Sequence, residues 1–218
     1  MTATASSELI AELDAAMKNR SPERRGRILQ CIVDLFVAGA DRLNPPQVRI
    51  FDDVLVALIE RADARTLPQL SVSLADLSIA PEEAVRRLAS HENAAIAAPV
   101  LLKSAALSDS HLLELASHRG QQHLLAISGR QILSETLTDV ILKHAGRDAC
   151  RTLARNAGAR FSGQGYATLL ATAERDDTTT NSAAALCDKL LAGVRTACRP
   201  TRQIKVSLDA RLLQATDA

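Results

Sequence analysis

The chain has 218 residues, 26 basic and 25 acidic, for a formal net charge of +1, and 47% of it is apolar. That length holds one sizeable core, the apolar share excludes a polar disordered chain, and the balanced charge argues against a strongly cationic nucleic-acid binder. Aromatics are only 2%, with no Trp, one Tyr and three Phe, so Ala and Leu must fill the interior and closely stacked helices are expected in place of a sheet.

The opening stretch carries Glu8, Glu12 and Asp14 and lacks a continuous apolar run, which is the wrong pattern for a signal peptide. No window reaches about 18 apolar residues without charge, so no membrane span is expected. Cys31, Cys150, Cys187 and Cys198 are scattered without CxxC spacing, and reduced thiols in a cytoplasmic protein are expected.

In chain order, Leu9, Leu13, Ala16 and Met17 predict a helix over Ser7–Lys18. Ser21 and Pro22 open a second, with Ile28, Ile32, Leu35 and Phe36 as its inward stripe and Gly39 as its stop. Asn44, Pro45 and Gln47 form the start signal of a third, in which Phe51, Val54, Leu55, Leu58 and Ile59 share a face. A fourth covers Leu67–Leu77, with Leu70, Leu74 and Leu77 inward.

From Ile79 the chain is periodic. "IAPEEAVRRLASHEN", "LSDSHLLELASHRG", "LSETLTDVILKHAG" and "FSGQGYATLLATAE" begin at Ile79, Leu107, Leu133 and Phe161, steps of 28, 26 and 28 residues. Between them lie "AAIAAPVLLKSAA", "QQHLLAISGRQI" and "DACRTLARNAGAR", so each unit reads as a helix, a turn, a shorter helix and a turn. Ser108, Ser134 and Ser162 stand where the longer helices need an N-cap, Pro81 opens the first, and Glu82, Glu83, Asp109 and Glu135 favour the positive helix ends. Units shorter than thirty residues bury their apolar faces only by stacking, which predicts an all-α fold: a short right-handed α-solenoid of HEAT-like helical pairs. Residues 1–78 form its N-terminal helical cap, 79–176 the four repeat units, and 177–218 a C-terminal helix and tail. In that last part Thr180 or Asn181 opens a helix that Pro200 ends, and a brief helix near Leu208–Gln214 follows.

Three of these phrases carry histidines, His91, His118 and His144, and the fourth has Thr172 near that place. Equivalent positions in stacked units lie roughly 8–10 Å apart, whereas a shared metal needs ring nitrogens within about 2.0–2.1 Å. The three rings are therefore expected to close their helices at the negative dipole end, and neither metal nor cofactor is expected.

"GADRLNPPQVRIFDDVLVALI" (Gly39–Ile59), Val85–Gly146 and "LARNAGARFS" (Leu153–Ser162) resemble a bacterial, mainly alphaproteobacterial, family known only as a domain of unknown function. The resemblance runs from about Ile28 to Arg175. It implies an all-helical fold similar to HEAT repeats and a bacterial cytoplasmic setting, and no chemistry. Where that family continues with another helical unit, this chain reads "TTTNSAAALCDKLL".

No GxSxG, glycine-rich phosphate loop, HExxH or calcium-loop pattern occurs. "SHRGQQH" (Ser117–His123) is the densest polar patch: Gly120 is expected in a left-handed turn, and Arg119 is the natural anion clamp. Arg130, Arg147, Arg151, Arg155 and Arg160 form a basic stripe if they share one edge, and Asp139 faces either solvent or an arginine such as Arg119 or Arg151. In "NAGARFS", Asn156 and Gly158 suit a tight turn with positive φ. The leading expectation is a non-enzymatic scaffold that binds a protein or peptide through Arg119, Gln122, His123, Arg130 and Arg155. The alternative is nucleic-acid binding through a basic repeat edge or through Asp188–Arg211, which holds six basic residues. A helical-repeat DNA glycosylase is the remaining alternative; it needs aromatics to grip an exposed base, and these are scarce.

Overall fold

The computed structural model describes residues 22–77 and 79–174, with Ala11 and Ala15 before them. The expected helix over Ser7–Lys18, the Ser21 cap, and everything expected after residue 174 lie outside the described residues. Within them the chain is all-helical. Ten α-helices follow one another: α1 (Pro22–Gly39), α2 (Pro45–Ile59), α3 (Leu67–Ala75), α4 (Glu82–Ala89), α5 (Ala94–Lys103), α6 (Asp109–His118), α7 (Gln121–Ser128), α8 (Glu135–His144), α9 (Arg147–Arg155) and α10 (Gly163–Glu174).

The helices lie in two rows. One holds α1, α3, α5, α7 and α9, each packed on the next; the other includes α2 against α4, α6 against α8, and α8 against α10. The period comes from the second row, whose helices from α4 onward begin at Glu82, Asp109, Glu135 and Gly163. One apolar core runs through the described chain, from Leu29 to Leu169. Its largest enclosed side chains are mostly Leu and Ile, among them Leu55, Leu74, Leu101, Leu124 and Leu137. Each is worth roughly 1.5–3 kcal/mol of burial, far more than the propensity differences that shaped the helices.

Local start signals behave unequally. Asn44 and Gln47 form the full capping box: the Asn44 side chain accepts from the Gln47 amide at 3.0 Å, and the Asn44 amide donates back to Gln47 Oε1 at 2.9 Å. Ser162 Oγ accepts from Gly165 N at 3.0 Å, and Ser108 Oγ accepts from His111 N at 3.4 Å. Ser134 stands at its N-cap without a capping bond, its hydroxyl turned to Thr136 Oγ1 at 3.2 Å. α4, whose N-cap is Pro81, is capped from another helix: the Asp52 carboxylate of α2 accepts from the amides of Glu83 and Ala84 at 3.0 and 2.8 Å. Burial raises the Asp52 carboxyl above its ordinary value although those two bonds pull it down.

The inward stripe of α1 is Leu29, Val33 and Phe36, not the expected Ile28, Ile32, Leu35 and Phe36. Ile28 and Ile32 are half-buried, and Leu35 is 64% exposed. From Ile28 on, α1 is apolar except at Gln30 and Asp34, so two stripes fit helical spacing equally, and contact with α2 and α3 selects the one one residue round.

Candidate functional site

Two edges of the row α3, α5, α7, α9 carry the polar residues. At the N-terminal edge lie the turns that enter α5, α7 and α9. The His91 ring Nδ1 accepts from Asn93 N at 3.0 Å, and Asn93 Oδ1 caps α5 by accepting from Ala95 N. The His91 carbonyl accepts from Nε2 of His123 at 2.9 Å, which fixes the proton of that buried ring on Nε2. Gln121 reaches the other way, accepting from Gly146 N and donating Nε2 to the His144 carbonyl at 2.9 Å. The expected histidines thus sit at or just past their helix ends, with His118 and His144 as last residues of α6 and α8. His91, however, accepts a backbone amide with its ring instead of donating to a helix carbonyl. Thr172 lies inside α10, bonded back to the Thr168 carbonyl. Among the described residues no group of three His, Cys, Asp or Glu side chains is placed to hold one metal ion.

Arg119, Gln122 and His123 come together there in a notch of roughly 340 Å³, with Glu92, His118 and Gln121. Gly120 is extended, φ −74° and ψ 174°, as the N-cap of α7, so the expected left-handed turn is absent.

The C-terminal edge is more tightly knit. Arg130 donates Nη1 to the Leu101 carbonyl at 2.6 Å and Nη2 to the Ser104 carbonyl at 2.9 Å, tying the turn after α7 to the end of α5. One unit on, Asn156 donates Nδ2 to the carbonyls of Ser128 and Arg130, tying the turn after α9 to the end of α7. The two turns also pair as backbone: Leu133 N donates to the Gly158 carbonyl and Arg160 N to the Leu133 carbonyl. Gly158 is needed for this approach, not for positive φ, because a Cβ there would lie 1.6 Å from the Gln131 carbonyl oxygen. Asp139 pairs with neither arginine suggested for it; its carboxylate accepts from Ser162 Oγ at 2.8 Å at the start of α10.

Along this edge, between the ends of α3, α5 and α7, runs a groove of roughly 690 Å³. Leu77, Leu102 and Ile132 line it, Leu102 being 38% and Ile132 78% exposed. Its charged walls are Arg130 and the Asp76–Lys103 ion pair, closed at 3.0 Å. Burial pushes the Arg130 guanidinium below the ordinary arginine value, and the charge of Asp109 draws it back up. The sequence named Arg130 but not the groove, because the lining comes from the cap and two repeat units at once.

The five residues expected to share a binding surface therefore do not form one face. Arg119, Gln122 and His123 line the notch, His123 as a buried tie; Arg130 is at the far end of α7; and Arg155 is the exposed last residue of α9. The other arginines divide similarly, with Arg147 opening α9 and Arg160 in the turn after it. The aromatics stack in two pairs, Phe36 with Phe51 and Phe161 with Tyr166, each with centroids 5.3 Å apart. Cys31 is exposed and Cys150 buried. No described helix is long and apolar enough to cross a membrane.

Residues 96–192 match the family model of an uncharacterised protein conserved in bacteria (DUF2336). Over those residues the chain carries the DUF2336 pattern. The match begins inside α5, later than the expected Ile28, and runs past the expected Arg175 through "TTTNSAAALCDKLL". Leu102, Arg130 and Ile132 fall within the DUF2336 segment, whereas α3 lies before it. No curated protein and no solved structure matches the chain.

Proposed function

We propose that this chain is a non-catalytic interaction module: a right-handed, HEAT-like helical-repeat scaffold of the bacterial cytoplasm whose C-terminal-edge groove holds a segment of a partner protein. The observation that carries the reading is the groove itself, where Leu102 and Ile132 stand in water on a frame of backbone ties. Covering Ile132, 78% exposed, returns up to about 2 kcal/mol, and Leu102, 38% exposed, under about 1 kcal/mol, while a pre-formed frame keeps the ordering cost low. The recurring helix–turn–helix pattern supports the scaffold role, since successive units place different side chains on equivalent turns. The pairing of the four aromatics with one another leaves base-stacking chemistry without an evident gripping group.

The test is affinity capture from native bacterial lysate with the full chain and with a Leu102→Asp/Ile132→Asp variant. Both side chains are exposed, so the variant is expected to melt like the parent. Partner proteins recovered by the parent should fall at least about tenfold with the variant; equal recovery by both would remove the groove from the account.

A further inference from the structure

The turns that follow α7 and α9 perform the same structural task with different side chains. Each ties back to the carbonyls that end the preceding helix of its row, Arg130 to Leu101 and Ser104, and Asn156, 26 residues on, to Ser128 and Arg130. A neutral amide does this one unit later, so the tie needs N–H donors and not a charge. Arg130 spends two of a guanidinium's five N–H groups on it. Its positive charge is half-buried, and the acid that acts on it, Asp109, does so through space without closing an ion pair. Among the described residues Arg130 forms no ion pair, and Lys103, the other cation on the groove wall, is already held by Asp76. Of the exposed aliphatic side chains, Leu102 and Ile132 line this groove, and the positions corresponding to them one unit on, 27 and 26 residues later, are Gly129 and Gly158. A surplus cation and two uncovered aliphatic groups thus coincide in one groove.

We propose that the groove takes a partner protein segment presenting an Asp or Glu carboxylate to Arg130, flanked by aliphatic side chains that cover Leu102 and Ile132. This rests on the reading of the groove as a docking surface. A carboxylate accepts in-plane N–H pairs from the guanidinium groups still free, and the aliphatic flanks exclude the water that would otherwise weaken the pair. Single-stranded or duplex nucleic acid offers anions without aliphatic flanks and fits Leu102 and Ile132 poorly.

The experiment uses the isotopically labelled full chain and three N-acetylated, C-amidated nonapeptides, with Leu at their third and seventh positions and Glu, Gln or Lys at their fifth. The Glu peptide should shift the amide resonances around Leu102, Gly129 and Ile132 and bind about tenfold more tightly than the Gln peptide, with the Lys peptide weakest. High salt should narrow the gap, and Arg130→Met should abolish it. Should Arg130→Met fail to fold, the Glu–Gln comparison on the unaltered chain decides. Equal binding of the Glu and Gln peptides in the groove overturns the acid preference and leaves docking intact. No shift from any peptide at millimolar concentration overturns both. Shifts centred on Arg119 and Gln122 overturn the location, and a DNA duplex that moves the groove resonances where the Glu peptide does not reassigns the cation to phosphate.

Discussion

His111, in α6, keeps 18% of its side-chain surface in solvent, and its Nε2 is enclosed without a hydrogen-bond partner. Burial lowers its pKa from the ordinary 6.5; Glu114 and Glu83 draw it up and Arg86 pushes it down. The unfolded chain therefore takes a proton near pH 6.5 that the folded chain resists. The contribution to stability is fully present above that pH, declines as the pH falls through it, and levels off below the folded value. Chemical denaturation at pH 7.5 and pH 5.5 should show a loss of stability in the wild-type chain that is smaller in His111→Leu; an identical loss in both would mean that another group titrates. At this scale the sequence was legible where the partner is local. The Asn44–Gln47 box spans three residues and was read correctly, whereas Asp139's partner, 23 residues away in the next unit, was not.

The elements are tied together at their turns as well as packed along their faces. The turn after α9 makes three side-chain bonds through Asn156, two to carbonyls of the preceding turn and one from Gly158 N to its own Oδ1. Truncating it leaves half-buried carbonyls without their donors, and Asn156→Ala is expected to cost about 2–3 kcal/mol in urea unfolding. Gly158→Ala must push the Gln131 carbonyl away and should cost a comparable ~1–3 kcal/mol. A loss below about 0.5 kcal/mol in both would show that the turns do not couple the units. Periodicity placed these helices almost residue for residue, because apolar spacing and caps are encoded within each element. It misjudged Gly120 and Gly158 as left-handed turn residues, because the real demand on Gly158, backbone against backbone across two units, has no local signature.

At the scale of the molecule, repetition makes the departures from it informative. The sequence is periodic in steps of 26 to 28 residues, and its three phrase histidines fall at or just past the ends of α4, α6 and α8. It grouped Arg130 with Arg119, whereas the two lie at opposite ends of α7. Only the stacking of α3, α5 and α7 brings Leu77, Leu102 and Ile132 beside that guanidinium. Whether this groove is occupied by protein in the cell is tested most directly by photo-crosslinking, with a benzophenone amino acid replacing Ile132 and, as a control, the exposed Leu35 of α1. The account predicts a discrete protein adduct from position 132 that Leu102→Asp suppresses and that position 35 does not give. No adduct at 132, the same adduct from both positions, or an adduct to nucleic acid would contradict it.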